Sequence, residues 1–177
     1  MAGRMWNISG RTVTHPAIPD DAGMQVFHYP KGGKHPGFAV TMTIGPVPGR
    51  GRELFVCTLA DSSDDKANPW ARILAHVASR SPPAAVGAVL ALPDGILGRS
   101  SHRHVLLAPA QSLSARHLPD YEAVMETRLL QLVTLTDREA DCVSAHGGEA
   151  LMARMAEQGV SALADRRPGD TRLTGST

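Results

Sequence analysis

The spacing of apolar residues predicts β-strands along most of the chain. Phe38, Val40, Met42 and Ile44 alternate with small or polar residues, which is the period-two pattern of a half-buried strand. Positions 54–59 are apolar on both faces and predict a central strand, and the Gly/Pro-rich turn before them predicts an antiparallel hairpin. Further strands are predicted at 24–29, 85–92, 104–108 and 124–135. A short buried helix is the alternative at 85–92, where the bounding prolines favour a strand.

Apolar residues at helical spacing predict a first helix directly after Asn68. The Asn68 side chain can accept a hydrogen bond from the free amides of the first turn, and Pro69 needs no amide donor at the first helical position. One apolar stripe follows at i, i+3, i+4, i+7 and i+8: Trp70, Ile73, Leu74, Val77 and Ala78. Pro82 and Pro83 then prevent the helix from continuing.

The sharpest transition in the chain lies at Thr136, where an apolar run gives way to a helical pattern. Thr136 and Glu139 have the spacing of a capping box, in which each side chain accepts a hydrogen bond from the other residue's backbone amide. Gly147 and Gly148 predict the end of this helix, and a second helix is predicted at 149–158. Both polar residues are therefore interpreted as helix-capping residues and not as catalytic residues.

Composition and charge mainly exclude classes of protein. The chain has 177 residues, 42% apolar and 20% charged, a balance that predicts one globular domain. Its 18 basic and 17 acidic side chains give a net charge of +1, which provides no bulk attraction for nucleic acid or an anionic membrane. The longest uncharged apolar run, 82–93, is shorter than the ~20 residues of a membrane helix. Because the N-terminal residues lack a continuous apolar segment, the expected location is the cytoplasm.

Candidate chemistry is sparse. Cys57 and Cys142 lie far apart, without zinc spacing, and are predicted to be buried, reduced thiols. His102 and His104 would share one strand face, about 7 Å apart, but no third metal ligand lies at a matched spacing. The segment 31–34 pairs glycines with lysines without a phosphate-binding motif and predicts a hairpin turn. No catalytic residue, cofactor-binding residue or metal ligand is therefore predicted.

The densest acidic cluster consists of Asp61, Asp64 and Asp65. One interpretation is a solvated loop that precedes the first helix. The other is an anionic contact for a basic protein partner, since complementary charge accelerates association. Both interpretations remain open, and these three residues are the candidate partner-binding residues.

Positions 129–155 carry a hydrophobic strand, a Leu-Thr-x-x-Glu boundary, a helix, a glycine pair and a short Leu-containing helix. This order resembles the C-terminal signature of bacterial Suppressor of fused-like domains, and the shortened ending at 165–168 is similar as well. The matching positions are Leu132, Val133, Leu135, Thr136, Glu139, Gly147, Ala150 and Leu151. Upstream, the strand ending at Gly45, the pair Glu53 and Leu54, and the helix headed by Trp70 follow the same order. Thr134, where a proline is usual, and the Pro/Gly turn at 46–49 depart from the pattern.

The resemblance implies an α+β fold, with a mixed, mainly antiparallel β-sheet flanked by helices in a single domain. The implied boundaries are an N-terminal arm or edge strand at 1–23, the Suppressor of fused-like domain at 24–168 and a flexible tail at 169–177. The sequence gives no oligomeric state.

The resemblance also implies a binding domain and not an enzyme. Bacterial members look like immunity proteins, encoded beside polymorphic or secreted toxins that act between competing bacteria. The expected partner is therefore a cognate toxin domain, neutralised by occlusion of its active site. Eukaryotic relatives bind a peptide by strand addition, which makes an exposed sheet edge a second possible mode. The alternatives are a general peptide-binding scaffold and a metal-dependent hydrolase that uses His102 and His104.

Overall fold

Seven strands and three helices make up the part of the chain that the structure describes. A computed structural model describes residues 11–13, 25–29, 39–44, 52–58, 69–78, 80, 84–97, 100–110 and 128–160. The elements are β1 Arg11–Val13, β2 Gln25–Tyr29, β3 Ala39–Ile44, β4 Arg52–Thr58, α1 Pro69–Ala78, β5 Val89–Ala91, β6 His104–Pro109, β7 Arg128–Leu135, α2 Asp137–His146 and α3 Gly148–Glu157. None of these described helices combines the length and the apolar character that crossing a bilayer requires.

The strands form one mixed sheet in the order β1-β2-β3-β4-β7-β6-β5. Neighbouring strands are antiparallel except β4 and β7, which run parallel, with Leu54 opposite Leu130. The predicted hairpin of β3 and β4 is confirmed, with Val40 opposite Cys57, and β4 is central as expected. The predicted α+β fold with a mixed, mainly antiparallel sheet is therefore confirmed.

The two faces of the sheet carry separate hydrophobic clusters. Along β6, Val105 and Leu107 face the α1 cluster, whereas Leu106 and Ala108 face the cluster of α2 and α3. This alternation follows from the period-two geometry of a strand. All five residues of the predicted α1 stripe are buried: Trp70, Ile73, Leu74, Val77 and Ala78. Both faces of the sheet are thus covered by helices where β6 and β7 lie.

The predicted capping box at Thr136 is confirmed atom by atom. The Glu139 amide donates to Thr136 Oγ1 at 3.3 Å, and the Thr136 amide donates to Glu139 Oε2 at 2.8 Å. Gly147, at φ +85°, ends α2 with its amide on the Val143 carbonyl at 2.8 Å. The next helix, α3, begins at Gly148, one residue earlier than the predicted start at 149. Hydrogen bonds between residues three positions apart therefore mark the boundary between β7 and α2.

The apolar run at 85–92 folds differently from the prediction. Only Val89–Ala91 is a strand, and the residues before it form a turn in which the Ala88 amide donates to the Ala85 carbonyl at 3.1 Å. Gly87, at φ +84°, supplies the left-handed conformation that the turn requires. The uninterrupted apolar pattern hid this turn because no polar residue marks it. Predictions for the turn at 31–34, the Asn68 cap and the terminal tail lie outside the described residues.

Candidate functional site

The strand β5 lies at one edge of the seven-stranded sheet. It pairs antiparallel with β6, and two hydrogen bonds bracket the pairing. The Leu107 amide donates to the Ala88 carbonyl at 3.0 Å, and the Leu92 amide donates to the Arg103 carbonyl at 2.8 Å. These bonds show which residues of the β5 segment direct their backbone groups towards β6.

The other residues of β5 present their backbone groups to the outside. In an antiparallel ladder, alternate residues face the partner strand. Because Ala88 and Leu92 face β6, Val89 and Ala91 direct their N–H and C=O groups away from it. No described strand lies on that side of β5. An edge of this kind can accept an additional strand.

An exposed apolar turn precedes the free edge of β5. Val86 is 47% exposed and is the one large hydrophobic side chain that stands exposed in the described ranges. The turn is fixed to the sheet by the Gly87 amide, which donates to the Leu107 carbonyl at 2.7 Å. The turn therefore presents Val86 from a backbone that is hydrogen-bonded to β6.

A cavity of about 290 Å³ opens where β5 leaves the sheet. Its lining is formed by Leu92, Pro93, Asp94, Gly95, Ile96, Leu97, Ser100, His102 and Arg103. Leu92 and Ile96 are buried apolar walls, whereas Asp94 and Arg103 are exposed and bring one charge of each sign. The free edge, the apolar turn and the cavity are formed by residues 84–97 and 100–103, which we call the β5 edge site.

The two histidines singled out in the sequence do not share a strand. β6 begins at His104, so His102 belongs to the irregular segment that precedes it. There His102 is buried, with Nδ1 2.9 Å from Ser100 Oγ, and its amide donates to the same oxygen at 3.2 Å. His104 Nδ1 instead lies 3.4 Å from Asp137 Oδ1 in the first turn of α2. The two imidazoles therefore have separate local partners.

Metal chemistry finds no support among the described residues. No group of three or more His, Cys, Asp or Glu side chains there is placed to hold a metal ion. The metal-dependent hydrolase alternative therefore lacks a described third ligand for His102 and His104.

The predicted buried thiol is confirmed for Cys142. It is a free cysteine on α2, and Arg154 Nη1 lies 3.9 Å from its sulfur. Cys57 pairs through its backbone with Val40, and its side chain lies outside the described residues.

The acidic cluster Asp61, Asp64 and Asp65 also lies outside the described residues, so the partner contact assigned to it stays a prediction. Sequence reasoning did not find the β5 edge site. Its visible signal was an uncharged run that contains a glycine and is bounded by prolines at both ends. The edge position itself depends on the order of the strands.

No family model and no curated protein sequence matches this chain. Solved structures do match over nearly its whole length. A Suppressor of fused protein homolog from Neisseria gonorrhoeae FA 1090 gives a TM-score of 0.71 at 20% identity, covering 98% of this chain and 94% of that one. The Sufu–Fu complex gives 0.61 at 13% identity, covering 96% and 87% of the two chains. Drosophila Suppressor of Fused gives 0.60 at 13% identity, covering 92% of this chain and 47% of that one. This chain therefore spans about half the length of the Drosophila protein.

Proposed function

We propose that this chain, which has the Suppressor of fused-like fold, is a non-catalytic protein-binding domain whose partner docks at the β5 edge site. The observation that carries the proposal is the free edge of β5, where Val89 and Ala91 turn their backbone groups outward. The shared fold adds support, since Sufu is solved in complex with Fu.

Binding at this edge would occur by strand addition. An extended segment of the partner would pair with Val89 and Ala91, and its main-chain hydrogen bonds would supply affinity. A side chain of that segment would enter the cavity beyond Leu92, which would supply specificity. Val86 offers an apolar anchor at the other end of the strand, where its exposed surface would be removed from water.

The partner that we propose is a cognate toxin domain, bound in the cytoplasm of the cell that makes both proteins. The resemblance of positions 129–155 to bacterial Suppressor of fused-like domains of the immunity-protein type supports this choice. Neutralisation would follow from occlusion, because a folded domain docked beside the toxin's active site excludes substrate. The acidic cluster Asp61, Asp64 and Asp65 would add a second contact to a basic surface of the toxin.

Co-expression tests the proposal directly. The protein encoded by the neighbouring open reading frame is expressed alone and together with this chain, and growth and co-purification are measured. We expect toxicity from the neighbour alone, rescue on co-expression and a stable complex. A neighbour that does not impair growth, or an impaired strain that this chain does not rescue, refutes the immunity role.

A single edge variant tests the docking site. Ala91→Pro removes an N–H group that points away from β6, so the internal ladder to His104 is retained. We expect rescue and co-purification to be lost in Ala91→Pro. Both should be retained in the control variant Ala153→Asp, on the exposed face of α3. Full rescue by a folded Ala91→Pro protein would mean that the contact lies elsewhere.

Charge reversal at Asp61, Asp64 and Asp65 tests the proposed acidic contact. If the rate of association with the toxin stays unchanged, these residues do not form that contact.

A general peptide-binding module is the second candidate function. It is favoured by the shortness of β5, because pairing through the main chain of three residues reads little side-chain sequence. Binding assays with unrelated extended peptides distinguish the two. Similar affinities for several peptides favour the general module, whereas one tight complex with the neighbouring protein favours the immunity role.

A further inference from the structure

We infer that two copies of this chain pair through their β5 strands, about a two-fold axis that passes through Leu90. This self-association goes beyond the proposed function, because it requires no other protein. It also bears on that function, since the second copy and the proposed partner would compete for the same edge.

The backbone of β5 is complementary to itself. A two-fold axis at Leu90 places Val89 of one copy opposite Ala91 of the other, and the reverse pair forms by symmetry. Both residues direct their N–H and C=O groups outward. Facing residues of this type exchange two hydrogen bonds in an antiparallel ladder, so the two pairs join the strands on both sides of the axis.

The ends of the strand restrict the pairing to this register. Pro93 has no N–H group and cannot extend the ladder beyond Ala91. At the other end, the Gly87 amide is already donated to the Leu107 carbonyl at 2.7 Å. A shift away from the axis at Leu90 would place one of these residues in the ladder and lose hydrogen bonds.

The same axis brings a second pair of features together. Position 86 lies as far before Leu90 as position 94 lies after it, so the turn of one copy faces the cavity of the other. Val86, exposed by 47%, would meet the mouth of the cavity of about 290 Å³, whose walls include Leu92 and Ile96. By symmetry this contact occurs twice, which buries apolar surface at both ends of the strand pair.

Charge also favours a second copy as the occupant. Residues 84–93 contain no charged side chain, so two identical edges approach without like-charge repulsion. Exposed edges are commonly protected by lysine or by proline within the strand, and β5 has neither. The opposite edge strand, β1, in contrast begins with the charged residue Arg11.

Sedimentation equilibrium of the full chain, from micromolar to millimolar concentration, tests the inference. We expect the weight-average mass to rise from the 18.8 kDa of one chain towards twice that value. Ala91→Pro and Val86→Asp should each weaken the dimer by at least about tenfold. Val86→Asp does so by placing a charged carboxylate against the apolar walls Leu92 and Ile96 of the second copy's cavity, whereas Val86→Ile should retain the dimer. Ala153→Asp, on the exposed face of α3, should leave it unchanged.

Two results would overturn the inference: a mass of 18.8 kDa at every concentration, or a dimer that neither edge variant weakens. Circular dichroism checks that the variants are folded. If Ala91→Pro does not fold, Val86→Asp provides the test, because residue 86 lies in an exposed turn. A monomer that still binds its partner at β5 ends this inference and leaves the proposed function intact. A dimer that binds no partner supports this inference and refutes the proposed function.

Discussion

Replacement of Thr136 by valine tests the assignment of the capping box most directly. Valine keeps the branched shape of the buried threonine and removes only its hydroxyl group. In the native structure that hydroxyl accepts the Glu139 amide at 3.3 Å and donates to Glu139 Oε2 at 3.1 Å. Thr136→Val therefore leaves an amide without its cap and removes one donor from a fully buried carboxylate.

The magnitude follows from these two losses. Removal of an N-cap side chain costs about 1 kcal/mol, with a range of roughly 0.5–2. Removal of a hydrogen bond to a charged group costs about 1.5–3 kcal/mol. Because both losses occur at one buried residue, we expect Thr136→Val to lower the free energy of unfolding by about 2–4 kcal/mol. In a domain of this size the melting temperature should fall by roughly 4–16 °C.

Urea unfolding followed by circular dichroism measures this effect. Thr136→Ser is the matched control, since it keeps the hydroxyl and should cost less than about 1 kcal/mol. Combination of Thr136→Val with Glu139→Gln should give less than the sum of the single effects, because the two residues share one network. A Thr136→Val protein within about 0.5 kcal/mol of the wild type, a value typical of neutral surface changes, would refute the reasoning.

Three further changes probe the packing and the surface, with urea unfolding as the common measurement. Gly148→Ala would place a Cβ 3.1 Å from Leu106 Cδ1, so we expect a loss of about 1–3 kcal/mol; a gain in stability would mean that Leu106 moves away freely. Leu132→Ala should cost about 2–5 kcal/mol, because Leu132 is buried in the α1 cluster, and a loss below about 1 kcal/mol would contradict that packing. His104→Ala should cost less than about 1 kcal/mol, because its partner Asp137 is 71% exposed and the pair is screened by solvent; a larger loss would give the pair a structural role.

The success and failure of sequence-based prediction in this protein follow from the range of the interactions involved. The capping box was predictable because Thr136 and Glu139 are three positions apart and bond to each other across one helical turn. The α1 helix was predictable because its apolar stripe follows helical periodicity. The turn before β5 was not predictable, because no polar residue accompanies Gly87 in the run of apolar residues around it.

The β5 edge site shows the same limit at a larger scale. A run of apolar residues identifies a strand without saying where in a sheet it lies. β5 is an edge strand only because β7 inserts between β4 and β6 and pairs parallel with β4. That arrangement joins residues far apart in the chain, such as Leu54 and Leu130, and no local pattern specifies it.

The sequence by itself determined most of the strands, the apolar stripe of α1 and the capping box of α2, because each depends on side chains within a few residues of one another. The resemblance added the Suppressor of fused-like fold, which the solved structures confirm. Only the tertiary structure decided that β5 lies at an edge of the sheet, that Val86 stays exposed beside it and where a cavity opens among the described residues. The physical reason is that these features depend on which distant segments pack together, and burial, unlike helix capping, is settled by the whole chain at once.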